Sequence, residues 1–171
     1  MGGDDWYFVM AQHQKRVHKD RYSNISCLTA VNMDTREILW QVGEPSGLKE
    51  NQNVTADLPF QVYDIDGDGY DEVIMARDFK LMVLDGRTGE VRKWIHTPMN
   101  EIPGDQLLGI EFQKHGFDRL NVDAVRIVNV SGNERPSDIL IKDRYSRLWV
   151  YNSNLELLWK FNYKNTGHFP Y

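Results

Sequence analysis

An internal repeat is the feature that most constrains how this chain can fold. Asp64 and Asn129 are 65 residues apart, and Trp94 and Trp159 are also 65 residues apart. Around each pair the same order recurs: a β-rich run, a polar loop, and three further short runs, the last of which carries the tryptophan. Repetition at such a period indicates a series of equivalent structural units rather than one irregular core.

Each unit contains about four short β-rich runs, and no window shows a sustained helical period. A third, partial unit precedes the other two, because residues 28–32 and 37–40 resemble residues 81–85 and 90–94. The β-rich runs of the whole chain are residues 7–11, 27–32, 37–42, 60–65, 73–76, 81–85, 91–95, 124–130, 139–142, 148–152 and 157–162. Short runs joined by tight turns predict an all-β fold with hairpins.

Four-stranded units in series are typical of the blades of a β-propeller. Residues 73–75 and 139–141 are apolar at consecutive positions, which fits sheets that are covered on both faces. We therefore predict a partial β-propeller of about three four-stranded blades, a fragment of a larger propeller, with a β-sandwich as the alternative. The predicted blades cover residues 1–43, 54–98 and 121–163, and residues 164–171 start a further blade. Trp40, Trp94 and Trp159 end the units and are expected to pack between blades.

Charge and composition exclude two classes of partner. The 171 residues contain 20 Lys and Arg against 25 Asp and Glu, a net charge of −5, whereas a broad nucleic-acid surface needs clustered basic residues. The longest apolar runs are far shorter than the ~18 residues that span a bilayer. We therefore expect neither a nucleic-acid partner nor a membrane span. The first residues show no signal peptide, and the single Cys27 allows no intramolecular disulfide.

Residues 64–72 form the most specific motif of the chain, an acidic loop with two glycines. Carboxylates at its first, third and fifth positions converge when the loop curls, and hard oxygen ligands of this kind suit Ca²⁺. An EF-hand would need Glu at position 12, which is Met75, and a helix after it, whereas residues 73–76 are β-rich. The motif therefore predicts a calcium loop between two strands. The expected ligands are Asp64, Asp66, Asp68, Tyr70 through its carbonyl, and Glu72.

The matching loop of the next unit carries no carboxylate at the corresponding positions. Those positions are Asn129, Ser131, Asn133, Arg135 and Ser137. We expect this loop to hold its shape by side-chain hydrogen bonds to its own backbone, without an ion. By comparison, the calcium of residues 64–72 is expected to be structural, tying the first strand of its blade to the second.

The acidic loop with a strand on either side resembles the FG-GAP/VCBS type of propeller repeat. A narrower resemblance is to the propeller of bacterial rhamnogalacturonan lyases of polysaccharide lyase family 11 and relatives. The segments that carry it are residues 39–43, 60–73, 118–119, 159–161 and 167–168. The resemblance implies an eight-bladed, calcium-binding propeller that cleaves the pectin backbone by β-elimination. It also implies a secreted bacterial protein, extracellular or periplasmic.

Four side chains are candidates for contact with an acidic polysaccharide. β-Elimination needs a base for the proton next to the uronate carboxyl, and a cation to stabilise the enolate. The candidates are Lys114, His115, Arg119 and His168. Each has a plain alternative: an exposed loop for Lys114 and His115, a salt bridge with Asp118 or Asp123 for Arg119, and a terminal position for His168. No residue is assigned as the catalytic base.

Two functions follow from these observations. The first is a calcium-binding segment of a rhamnogalacturonan-lyase-like protein that acts on acidic plant polysaccharide. The second is a non-catalytic, calcium-stabilised propeller module that binds glycan or protein. The second is favoured for this chain because the family usually has Gly-Ala-His-Tyr where residues 54–59 read Val-Thr-Ala-Asp-Leu-Pro. Since about four to eight blades close a ring, three blades also predict self-association through open faces.

Overall fold

The computed structural model describes residues 6–13, 25–45, 58–99, 119–143 and 147–162, and these residues form eleven strands. The strands are β1 (Tyr7–His13), β2 (Ile25–Asn32), β3 (Ile38–Gly43), β4 (Phe60–Tyr63), β5 (Glu72–Arg77), β6 (Lys80–Asp85), β7 (Val91–His96), β8 (Ala124–Val128), β9 (Asp138–Lys142), β10 (Arg147–Tyr151) and β11 (Leu157–Asn162). Each overlaps one of the β-rich runs of the sequence, with ends that differ by up to two residues. The described segments contain no helix that is long and apolar enough to cross a membrane.

The strands form three antiparallel sheets in which neighbours along the chain are neighbours in space. The sheet orders are β1-β2-β3, β4-β5-β6-β7 and β11-β10-β9-β8, here called blade 1, blade 2 and blade 3. This confirms the all-β fold and the partial β-propeller of about three blades. Blade 1 has three strands among the described residues instead of the predicted four. The strands lie within residues 1–43, 54–98 and 121–163, and residues 164–171 lie outside the described part.

Two apolar clusters hold the blades together, one on each side of blade 2. Val73 and Met75 of β5 pack with residues of blade 1, whereas Ile74, between them, packs with residues of blade 3. Successive residues of a strand point to opposite faces, so an uninterrupted apolar run can serve two neighbouring sheets. A two-layer sandwich would cover only one face of each sheet, and it is excluded by this arrangement.

The same side-chain-capped turn precedes the last strand of every blade. A carboxamide or carboxylate oxygen at its first residue accepts the backbone N–H two residues further on. The three bonds are Asn32–Asp34, Asp85–Arg87 and Asn152–Asn154, of 2.9, 2.8 and 2.9 Å. Asn and Asp favour turns for this reason. The turns therefore give a common origin from which positions in the three blades can be compared.

Counting from these turns identifies equivalent positions in the last strands. Trp40, Lys93 and Trp159 each pair with the residue that lies two before the turn's Asn or Asp. The pairs are Trp40 with Ala30, Lys93 with Val83, and Trp159 with Val150. Trp94 pairs with Met82 and faces the other side of blade 2. The equal spacing of Trp94 and Trp159 therefore does not reflect equivalent positions, because the loops of the two blades differ in length.

The equivalent positions make equivalent contacts with the next blade. Trp40 Nε1 donates a hydrogen bond of 2.9 Å to the carbonyl of Gly86, which follows Asp85 in the turn of blade 2. Lys93 Nζ donates one of 2.6 Å to the carbonyl of Ser153, which follows Asn152 in blade 3. Packing between blades is thus confirmed for Trp40.

Trp94 differs from this expectation. Its side chain is 46% exposed, and its ring contacts Lys80 and His96 of its own blade. The Lys80 ammonium lies 4.3 Å from the ring centroid, a cation–π distance. Met82, which pairs with Trp94, belongs to the side of blade 2 that faces blade 1, so Trp94 lies on that side as well.

Gly89→Ala should destabilise the contact between blades 1 and 2. Gly89 has φ of 73°, and a Cβ there would lie 2.7 Å from Cδ2 of Trp40. Gly132 is the matched control, because its φ is 72° and nothing lies within 4 Å of its Cβ position. We expect Gly132→Ala to lower the free energy of unfolding by about 1 kcal/mol through backbone strain alone. Gly89→Ala should lower it by about 1–3 kcal/mol more through overpacking. Equal losses in urea unfolding would contradict the tight contact.

Candidate metal centre

The acidic loop connects β4 to β5 at one end of blade 2, and Asp64 organises its backbone. Asp64 Oδ1 accepts a hydrogen bond from the Gly67 N–H at 2.7 Å, and its Oδ2 accepts one from the Gly69 N–H at 3.1 Å. Both glycines lie in the left-handed region, with φ of 81° and 91°. Glycine adopts this conformation at little cost, so the chain can curl tightly around the Asp64 carboxylate.

Three of the four predicted carboxylate ligands converge. Carboxylate oxygens of Asp64, Asp66 and Glu72 all lie within 4.8 Å of one another. Asp68 lies outside this cluster, and its Oδ1 accepts the Tyr70 N–H at 2.8 Å. Carboxylates gathered in this way are the oxygen donors that Ca²⁺ takes in proteins.

Glu72 anchors the cluster in the interior. It is the first residue of β5 and is 0% exposed. Its Oε2 accepts the Ile65 N–H at 3.0 Å, so the side chain holds the start of the loop as well. Burial raises the pKa of Glu72, and the nearby Asp66 and Asp68 carboxylates add to this effect. The ionised form therefore depends on positive charge close by.

Arg92 of β7 supplies part of that positive charge, and the sequence analysis missed it. Its Nη1 lies 2.6 Å from Glu72 Oε1, 3.4 Å from Asp66 Oδ2 and 3.8 Å from Asp68 Oδ2. Its Nη2 lies 2.6 Å from Asp85 Oδ2 in the neighbouring turn. One guanidinium thus links the acidic loop to the β6–β7 turn at the same end of the blade.

Arg135 approaches the same loop from blade 3. Its Nη1 lies 3.0 Å from Asp64 Oδ2, and its Nη2 donates to the Asp64 carbonyl at 2.7 Å. Partial burial acts against ionisation of Asp64, but hydrogen bonds from Arg135 and from the Gly67 and Gly69 amides lower its pKa. Asp64 is therefore held as a carboxylate.

The loop of blade 3 holds its shape without carboxylates at the compared positions, as predicted. Asn129 Oδ1 accepts the Asn133 N–H at 2.9 Å, and Asn129 Nδ2 donates to the Asn133 carbonyl at 2.7 Å. Asn133 Nδ2 also donates to Ser137 Oγ at 2.7 Å. Carboxamides act here as both donors and acceptors, which carboxylates cannot do.

The counterpart of Glu72 in blade 3 is Asp138, not Ser137 as the sequence spacing indicated. Asp138 opens β9 as Glu72 opens β5, and the blade 3 loop is one residue longer. Asp138 Oδ2 accepts the N–H of Val130, at 2.7 Å, as Glu72 accepts the N–H of Ile65. A carboxylate that ties the loop to the second strand is thus common to both blades.

Three of the four candidate substrate residues lie outside the part of the chain that the structure describes. They are Lys114, His115 and His168. Arg119 is described, and its Nη1 donates to the Thr97 carbonyl at 2.8 Å. An isolated bridge pairs Arg119 with Met99. Arg119 therefore joins the two ends of the linker between blades 2 and 3 through a structural contact.

Asp85→Asn should reveal how much stability the ion pairs beside the acidic loop contribute. Arg87, with Arg92 in support, holds the pKa of the Asp85 carboxyl well below its usual range although partial burial opposes this. Because the folded pKa is lowered, this stability is present above the unfolded pKa of about 3.9 and is lost as the pH falls below it. Asn occupies the same turn position in blades 1 and 3, so the substitution removes charge and keeps the turn acceptor.

We expect Asp85→Asn to lower the free energy of unfolding by about 1–3 kcal/mol at neutral pH. The difference from the unsubstituted chain should shrink as the pH falls from about 5 to about 3. Urea unfolding across this range measures it, with the exposed Asp34 of blade 1 changed to Asn as the control. A difference that does not vary with pH would contradict the assignment of ion-pair stability to Asp85.

No protein-family model matches this chain, and no curated protein matches it. Among solved structures, it is similar to the quinohemoprotein alcohol dehydrogenase from Comamonas testosteroni, with a TM-score of 0.53 and 13% sequence identity. The similarity covers 93% of this chain and 22% of that protein, so the chain spans about a fifth of its length. At this identity the likeness shows the fold alone, a section of β-propeller.

Proposed function

We propose that this chain is a calcium-stabilised β-propeller module that serves binding rather than catalysis. The observation that carries the proposal is the convergence of the Asp64, Asp66 and Glu72 carboxylates within 4.8 Å. These residues come from the end of one strand, the loop and the start of the next strand. A cation held by all three would therefore fix the first two strands of blade 2 to each other.

The charge balance of the loop supports a divalent cation. Five of the nine residues 64–72 are acidic, and the neighbouring Asp85 adds a sixth carboxylate. Arg87, Arg92 and Arg135 contribute three positive charges to this group. An excess of carboxylates over arginines remains, and like charges this close together destabilise the fold unless a cation compensates them.

Metal binding would require the Arg92 guanidinium to give up its contacts with the clustered carboxylates. It contacts Glu72 and Asp66, two of the three clustered carboxylates, and it also contacts Asp85. A calcium ion would take over the first two contacts, while Asp85 would keep Arg92 in place. The ion would supply charge neutralisation and oxygen coordination to the loop.

The lyase function rests on the resemblance alone. Of its four candidate residues, the described Arg119 has a structural contact with the Thr97 carbonyl. The binding module is preferred because residues 54–59 read Val-Thr-Ala-Asp-Leu-Pro where the lyase family usually has Gly-Ala-His-Tyr. Its partner would be an acidic plant polysaccharide or a protein, met outside the cell or in the periplasm.

Asp66→Asn should remove most of the stabilisation by calcium. The Asp66 side chain is partly exposed, so the change affects the cluster more than the core. For the unsubstituted chain, calcium at a hundred times its Kd should add about 2.7 kcal/mol to the free energy of unfolding. Thermal unfolding with calcium and with chelator measures the shift, and Asp34→Asn is the control that should keep it.

Asp68→Asn refines the same experiment, because Asp68 was a predicted ligand but lies outside the cluster. We expect it to lower the melting temperature only when calcium is present, and by less than Asp66→Asn. If the unsubstituted chain melts at the same temperature in calcium and in chelator, the calcium assignment is wrong.

A lyase assay separates binding from catalysis. β-Elimination creates an unsaturated uronate that absorbs in the ultraviolet, so the absorbance of rhamnogalacturonan mixed with the chain reports turnover. We expect a flat trace with and without calcium. A calcium-dependent rise in absorbance would overturn the non-catalytic proposal, whereas a flat trace with retained polysaccharide binding would identify glycan as the partner.

A further inference from the structure

The guanidinium of Arg92 lies between the acidic loop and the β6–β7 turn and contacts each through different nitrogens. Its Nε and Nη2 lie 3.2 and 2.6 Å from Oδ2 of Asp85 in the turn. Its Nη1 faces the loop, 2.6 Å from Glu72 Oε1 and 3.4 Å from Asp66 Oδ2. Because a guanidinium carries its N–H donors on three nitrogens in a fixed fork, one nitrogen can lose its partners while the others keep theirs.

Nη1 contacts carboxylates that are also the candidate ligands of a cation. Asp66 and Glu72 are two of the three residues whose carboxylate oxygens converge, and Asp64 is the third. Glu72 Oε2 accepts the Ile65 N–H, so Oε1 is the atom that Arg92 engages. A divalent cation bound to these carboxylates would lie close to Nη1, and the two positive charges would repel each other. The guanidinium and the cation are therefore alternative partners of the same oxygens.

Burial makes the choice of partner matter most at Glu72. Its side chain is buried, whereas Asp66 and Asp68 are exposed. A buried carboxylate that loses its positive partner is strongly destabilising, while water and salt screen exposed carboxylates. Either the Arg92 guanidinium or a cation can neutralise Glu72. Because Arg92 already does so, the free energy gained by binding a cation is smaller than it would be in a loop without this arginine.

We propose that Arg92 competes with calcium for the Glu72 and Asp66 carboxylates, and that Asp85 sets the balance by holding Arg92 from the other side. The inference rests on the calcium function proposed above. With Asp85 in place, Arg92 keeps a carboxylate partner when calcium displaces Nη1. Without Asp85, the same displacement would strand a guanidinium that is only 28% exposed, so calcium binding would cost more. Asp85 is thus a positioning residue that acts on the calcium affinity through Arg92.

Two other arginines near the loop are less suited to compete. The side chains of Arg135 and Arg87 are 46% and 47% exposed, so solvent screens their charges more than that of Arg92. Arg92 lies 2.6 Å from Oε1 of the buried Glu72. Arg87 shares Asp85 with Arg92, at 3.1 Å from the same Oδ2. Arg87 is therefore the matched control for the loss of one positive charge beside the loop.

Calcium titration of the full chain and two variants tests the competition. Arg92→Gln removes the competing guanidinium, and Arg87→Gln removes a charge of the same sign that contacts Asp85 rather than the clustered carboxylates. Isothermal titration calorimetry with calcium chloride at constant ionic strength gives the Kd of each protein. We expect Arg92→Gln to lower the Kd by about 10- to 100-fold, the equivalent of one hydrogen bond between charged groups. Arg87→Gln should lower it by less than about threefold.

The melting temperature gives a second readout of the same competition. In chelator, Arg92→Gln leaves Glu72 without the guanidinium and should melt at a lower temperature than the unsubstituted chain. At saturating calcium the difference should shrink, because the ion neutralises Glu72 instead. A variant that only damaged the fold would melt lower by the same amount in both conditions, which would overturn the proposal. If Arg92→Gln does not unfold cooperatively, Arg92→Lys replaces it, and a smaller decrease in Kd is expected because Lys lacks the fork of nitrogens.

Asp85→Asn tests the positioning role of Asp85. It should raise the Kd for calcium by about tenfold when Arg92 is present, because the guanidinium then depends on the loop carboxylates alone. In the Arg92→Gln background the same substitution should raise the Kd by less than about threefold, since the residue through which Asp85 acts is gone. An equal increase in both backgrounds would mean that Asp85 acts only as a nearby negative charge, and its positioning role would be overturned.

These outcomes separate the competition from the calcium function on which it rests. If neither the unsubstituted chain nor Arg92→Gln binds calcium, the calcium function is wrong and the competition falls with it. If both bind calcium with the same Kd, the calcium function stands and the competition is overturned. A higher Kd for Arg92→Gln would also overturn it, because Arg92 would then help to form the site.

Discussion

Burial of both faces of each sheet is the constraint on which the rest of this structure depends. The inner strand β5 of blade 2 is fully buried at Val73, Ile74 and Met75, and alternate residues pack against different neighbouring blades. A single blade of this kind could not bury both faces, so stability arises from stacking. Hydrophobic burial is non-directional, however, and the angle and register between blades must come from more specific contacts.

Those specific contacts lie at the ends of the strands, where the turns and loops meet. The turn carbonyls of blades 2 and 3 accept hydrogen bonds from Trp40 and Lys93, respectively. Arg135, in the loop of blade 3, donates a hydrogen bond to Asp64 of blade 2. Arg92 joins the acidic loop to the turn within one blade. The charged groups therefore connect the same blades that the apolar clusters hold together. A cation at the acidic loop would add to the contacts within blade 2.

The sequence predicts the strands of this fold well, because short apolar runs between turn residues leave few alternatives. It also predicts that Asp64, Asp66 and Glu72 converge, since a nine-residue loop brings its own carboxylates together. It does not predict Arg92, which is 20 residues from Glu72 and belongs to a strand that is not adjacent to β5. Single-residue differences in loop length explain why Asp138 and the position of Trp94 were misassigned.

The nature of the contact between blades explains how the architecture persists while side chains change. The acceptor is a main-chain carbonyl, which every residue type provides, and its position is set by an Asn or Asp cap. The donor needs only length and one N–H, so an indole and an ammonium make the same connection. A fold joined in this way can keep its geometry with little sequence identity. Identity of sequence is then a poor guide to equivalence, and hydrogen-bond position relative to the turn is a better one.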